Sequence, residues 1–113
     1  MVATIIIAMS IISDVRPTPV ATGVASYYST RESGHTTASG EKLNDKQHTC
    51  AMLQGNFGDY YNVVADNGKS VRVRLTDRGP YVKGRVIDLS KAAMKELTNG
   101  GLIKVKVYAS KKD

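Results

Sequence analysis

The sequence predicts a mainly β domain, folded as a small closed barrel with one or two short helices. Three observations carry that prediction. Val71, Val73 and Leu75 alternate with Arg72, Arg74 and Thr76, the period of a strand with one buried face. Turn signals, Asp66-Asn67-Gly68, Gly79-Pro80 and Gly100-Gly101, separate the apolar runs. Five or six such short runs within about 90 residues suit a closed barrel.

In chain order, Val24 to Tyr28 reads as the first strand, and residues 29 to 47, rich in Ser, Thr, Gly, Asp and Lys, as loop. Thr49 to Leu53 reads as a short buried strand. Tyr60 to Ala65 and Lys69 to Leu75 flank Asn67-Gly68, a strong hairpin signal because both residues tolerate positive φ. Arg85 to Asp88 is a short strand. Ser90 then caps a helix to about Leu97, with Ala93 and Leu97 on one face and Gly100-Gly101 ending it. Leu102 to Ala109 alternates again, Ile103, Val105 and Val107 inward, Lys104 and Lys106 outward.

The 113 residues support one domain with a small core. Sixteen basic against ten acidic residues give a formal charge of +6, which suits an anionic partner or a solvated basic surface. The aromatics are six Tyr and Phe57, and no nucleic-acid fingerprint accompanies the charge, so no nucleic-acid partner is expected. Cys50 is the only cysteine, which excludes an internal disulfide and a multi-Cys metal site. It reads as buried packing rather than a lipid anchor. Residues 2 to 12 carry no charge and have the length of a signal-peptide apolar region, too short to span a bilayer as a helix. An exported, unanchored protein is therefore expected, the alternative being an N-terminal strand. Asp14 to Thr22, with Pro17 and Pro19, reads as a linker, giving residues 1–22 as leader and linker and 23–110 as the domain.

The most informative stretch is Thr76-Asp77-Arg78-Gly79-Pro80-Tyr81 followed by Arg85-Val86-Ile87-Asp88-Leu89-Ser90. Gly79-Pro80 stops the ladder, since Pro has no N–H and Gly admits unusual backbone angles. Asp77 thus stands where a strand meets a loop, fixed yet reachable; a turn acid paired with Arg78 would read the same way. These motifs follow, in order, Gly23-Val24-Ala25-Ser26-Tyr27-Tyr28, Thr37-Ala38-Ser39-Gly40-Glu41, Thr49-Cys50-Ala51, Phe57-Gly58 and Asn67-Gly68-Lys69-Ser70-Val71. As a set they resemble the RlpA-like (rare lipoprotein A) domain over about residues 23 to 109. The resemblance implies a six-stranded double-psi β-barrel, secreted or periplasmic, that acts on peptidoglycan glycan strands. Some members are lytic transglycosylases.

That resemblance places Asp77 as the acid–base carboxylate and Glu41 as its assistant. In a lytic transglycosylase the attacking group is the sugar's own 6-hydroxyl, so one carboxylate can serve both proton transfers. Arg78, Tyr81 and His35 are expected to contact glycan. Asp88, Ser90, Gly79 and Pro80 are expected to be structural, Asp88 by bonding N–H groups at the helix start. The family pattern has a His where this chain has Met52, and Met cannot accept a proton. His48 lies four residues away, and the family's Pro before Phe-Gly is replaced by Asn56. No metal or cofactor site is expected, since His35, His48 and Cys50 lack ligand spacing. A monomer without stable membrane insertion is expected. Met52 keeps open a rival reading, a non-catalytic glycan-binding or expansin-like wall-loosening module. A phage or mobile-element protein is a weaker third.

Overall fold

The structure, a computed structural model, describes residues 17–28 and 34–111. The signal-like segment therefore lies outside the described residues. The strands are β1 (Ala21–Tyr27), β2 (Thr49–Ala51), β3 (Tyr60–Ala65), β4 (Ser70–Asp77), β5 (Arg85–Leu89) and β6 (Ile103–Ser110). Among the described residues one helix, α1 (Lys91–Leu97), lies between β5 and β6. The strands close into a barrel in the order β1-β5-β2-β4-β3-β6, the expected six-stranded architecture.

Sequence alternation decides which face each strand buries. In β4, Val71, Val73 and Leu75 are 8%, 1% and 0% exposed, while Arg72 and Arg74 point outward. In β6, Val105 and Val107 are buried and Lys104 and Lys106 are exposed. Met52, Leu75, Ile87, Leu89 and Leu97 fill the interior, and burial pushes the Cys50 thiol up from its ordinary pKa.

β1 starts earlier than the sequence suggests. Ala21 pairs with Val107 and Thr22 with Lys106, so these residues belong to the barrel rather than to a linker. Thr49 to Leu53 is strand only as far as Ala51. The β3–β4 hairpin forms at Asp66-Asn67-Gly68, but only Gly68 takes positive φ, at 89°. Asn67 acts through its side chain instead. Its Oδ1 accepts from the Lys69 N–H at 2.9 Å, and its Nδ2 donates to the Leu97 carbonyl at 2.9 Å. That second bond satisfies a C-terminal carbonyl of α1. The helix accordingly ends at Thr98, in extended conformation, before Gly100-Gly101 is reached. At the other end Ser90 caps as expected, its Oγ accepting from the Ala93 N–H.

The two parallel pairs are what position the site. Along β2 and β4 the register runs Cys50↔Leu75 and then Ala51↔Asp77, skipping Thr76. Along β1 and β5 it runs Val24↔Arg85 and then Ala25↔Ile87, skipping Val86. Each skip is a bulge that bends its strand and re-aims the neighbouring side chains.

Candidate functional site

The bulge at Thr76 delivers Asp77 to the end of β4, at the wall of an open cavity of about 530 Å³. Asp77, Asp88, Arg85, His35, Tyr28 and Tyr81 are among its lining residues. The Asp77 carboxylate is held at one end. Its Oδ1 accepts from the Ala38 N–H at 3.0 Å and the Arg78 N–H at 2.8 Å. Among the described residues Oδ2 has no partner, so one oxygen is anchored and the other is available. The Gly79–Pro80 peptide is cis, and Gly79 adopts φ 125°, a conformation that other residues rarely take. After this turn Tyr81 stands 80% exposed at the cavity rim.

Asp88 is a second carboxylate lining the cavity, and it does not make the helix-start bonds expected of it. The α1 start is satisfied without it: Ala93 N–H bonds the Ser90 hydroxyl, Met94 N–H the Ser90 carbonyl and Ala92 N–H the Asp45 carbonyl. Asp88 instead accepts a hydrogen bond from the Ser26 hydroxyl of the neighbouring β1 strand.

Glu41 was expected beside Asp77, but it is absent from the cavity lining. Its carboxylate forms an ion pair with Arg74, reinforced by a 3.0 Å bond from Nη2 to Oε1. The hydrogen bonds and positive charge of Arg74 hold Glu41 below the usual carboxylate pKa, against a smaller opposing effect of burial. Glu41 and Asp77 are still linked through one turn. Thr37 N–H and Oγ both bond the Glu41 carbonyl, while Ala38 N–H bonds Asp77 and Ser39 N–H bonds the Thr76 carbonyl.

Arg78, expected to contact glycan, commits its guanidinium elsewhere. It donates to the carbonyls of Met52 at 3.2 Å, Gln54 at 3.1 Å and Gly55 at 2.7 Å, and lies 4.4 Å from the centroid of Phe57. It clamps the 52–57 loop. Met52 is 0% exposed and packs in the core, so the position where the family pattern has His does not face the cavity here. His35 does line the cavity, while His48 lines a separate cleft with Tyr60, Arg72 and Arg74.

Arg85 and the cavity placement of Asp88 were missed in the sequence. Strict alternation from the buried Ile87 and Leu89 sends Arg85 inward; the bulge at Val86 instead brings it to the cavity. The signal was the charged residue at a core-parity position. Among the described residues no group of three or more His, Cys, Asp or Glu is placed to hold a metal ion.

Comparison with known proteins agrees with this architecture. The sequence profile of a family described as lytic transglycolase matches residues 20–107. The endolytic peptidoglycan transglycosylase RlpA of Pasteurella multocida is 43% identical over 76 residues, 66% of this chain and 26% of that protein. Its namesake from Pseudomonas aeruginosa is 46% identical over 88 residues, 75% of this chain and 26% of that protein. The chain thus spans about a quarter of the length of these relatives. Among solved structures, the Streptomyces papain inhibitor superposes with a TM-score of 0.62 at 25% identity, covering 84% of this chain and 99% of that one. An expansin of Clavibacter michiganensis, solved as a mutant with cellohexaose, superposes with a TM-score of 0.64 at 19% identity, covering 81% and 50%. The profile match and the identities together show that the chain belongs to the lytic transglycolase family of RlpA-like double-psi β-barrel domains.

Proposed function

We propose that the domain is an endolytic lytic transglycosylase that cleaves stem-free peptidoglycan glycan strands in the cell envelope. The observation that carries this reading is the Asp77 carboxylate, anchored through Oδ1 and open through Oδ2 on a cavity wide enough for a sugar. The names of the relatives, endolytic peptidoglycan transglycosylase, supply the substrate. In the first step Asp77 gives its proton to the glycosidic oxygen, and the C1–O bond breaks with its electron pair going to that oxygen. Positive charge then grows at C1, where the Asp88 carboxylate, held by Ser26, offsets it. In the second step the sugar's 6-hydroxyl bonds to C1 and gives its proton to Asp77. The product carries a 1,6-anhydro ring, no water is consumed, and Asp77 is restored to the acid form. Glu41 serves through the 37–41 turn as a positioning group rather than as a proton donor, because Arg74 keeps it ionised. Tyr81 offers a face on which a sugar ring can stack.

A second reading is favoured by one observation. Met52 is buried where the family pattern has His, so the cavity lacks an imidazole at that position. On that reading the domain binds glycan without cleaving it. Mass spectrometry of products from stem-free strands separates the two. Anhydro ends, lighter by one water than hydrolytic ends, support transglycosylation; bound but uncut strands support the binding module, and hydrolytic ends alone overturn both.

A further inference from the structure

We propose that Arg85 reads a carboxylate on the bound glycan and makes the cavity selective for an acidic, stem-free muramyl sugar over neutral sugars. The inference rests on the glycan-cleaving reading above and deepens it. Two arginines line the cavity, and they differ in commitment. Arg78 already donates to three loop carbonyls and lies over the Phe57 ring. Arg85 is partly buried, yet among the described residues its guanidinium takes part in no hydrogen bond, ring contact or ion pair, even with Asp77 and Asp88 in the same cavity.

The backbone holds Arg85 in this place. It pairs with Val24 across β1 and β5, its N–H bonds the Val82 carbonyl at 3.1 Å, and the next step along β5 is the bulge at Val86. A partly desolvated guanidinium presents a planar fork that matches a carboxylate through two parallel bonds. Desolvating that group without a partner is unfavourable, so the ligand is expected to supply one.

Glycan chemistry supplies one carboxylate. The 3-O-lactyl ether of a muramyl residue ends in a free carboxyl when the peptide stem has been removed, and in a neutral amide when the stem is attached. A neutral amino-sugar has no such group. The two aspartates repel a carboxylate, so only the Arg85 end of the cavity accepts the acid. The contact therefore fixes strand direction as well as composition.

The test compares binding of three glycans: stem-free strands, the same strands with their carboxyls coupled to methylamine, and chitohexaose. Affinities are measured on the full chain carrying Asp77→Asn, so that strands stay intact, with and without Arg85→Gln or Arg85→Lys. The free-acid strands are expected to bind roughly tenfold more tightly than the amidated ones, the size of one charge-assisted contact. Arg85→Gln should remove that preference and leave the other two ligands unchanged, and Arg85→Lys should keep part of it. Equal binding of free and amidated strands without any change at Arg85 overturns the proposal alone. So does an Arg85→Gln loss that is the same for all three glycans. Failure of every glycan to bind overturns it together with the proposed function. If Arg85→Gln does not fold, the comparison of free with amidated strands still decides.

Discussion

At the scale of single residues, two side chains part company with what their motifs imply. Met52 sits at a position matched to a proton-handling His, yet it is wholly buried against the core. Met52→His should therefore lower stability, by about 2 kcal/mol, because an imidazole at this site is desolvated. It should not raise cleavage. Denaturant unfolding alongside product analysis checks both parts, and a stable, faster variant would contradict the core placement. Glu41 gives a pH signature. Arg74 depresses its folded-state pKa from the ordinary 4.5, so the ion pair stabilises the protein above that value. The stabilisation is lost as pH falls through the depressed pKa. The Glu41 side chain is 42% exposed, so the pair is screened, and the stability lost in Glu41→Gln near pH 7 should be about 0.5 kcal/mol. That difference should shrink as pH falls below 4.5. Melting curves of both proteins across this range read it directly; a constant difference would contradict the pairing.

At the scale of elements, Arg78 holds a loop. Arg78→Ala leaves three carbonyls without their donor and removes the stacking on Phe57, at a cost of about 2 kcal/mol. Hydrogen exchange in residues 53–58 should rise, and Arg78→Lys should restore only part of the protection because ammonium lacks the planar fork. Unchanged exchange in this loop would remove the clamp. Such a role is hard to read from sequence: Arg78 follows Asp77 directly, and nothing local says that its partners lie more than twenty residues upstream. Regular elements were far easier. The alternation in β4 and β6 and the Ser90 cap each encode a local geometry, and the structure has them. The end of α1 near Leu97 was legible too, but the Asn67 side chain that bonds the Leu97 carbonyl was not, because it belongs to a distant hairpin.

At the scale of the whole molecule, the ordered motifs made barrel closure and the place of Asp77 legible. The division of labour among the acids was not. It depends on two bulges, at Thr76 and Val86, which decide whether a charged residue follows core parity or escapes it. A bulge leaves no compositional mark, so Arg85 was not singled out, Asp88 read as a helix-start acid and Glu41 as a cavity acid. The architecture brings Asp77, Asp88 and Arg85 to one open cavity, while Glu41 bonds Arg74 and Arg78 holds the 52–57 loop. The central claim is that this cavity cleaves glycan through Asp77. It is tested most directly by the rate of 1,6-anhydro product formation from stem-free strands by the protein and by its Asp77→Asn variant. The account predicts a loss on the order of a hundredfold or more in the variant, the usual contribution of a positioned acid–base group, with the fold and strand binding retained. Equal rates of anhydro product from the two proteins would contradict it.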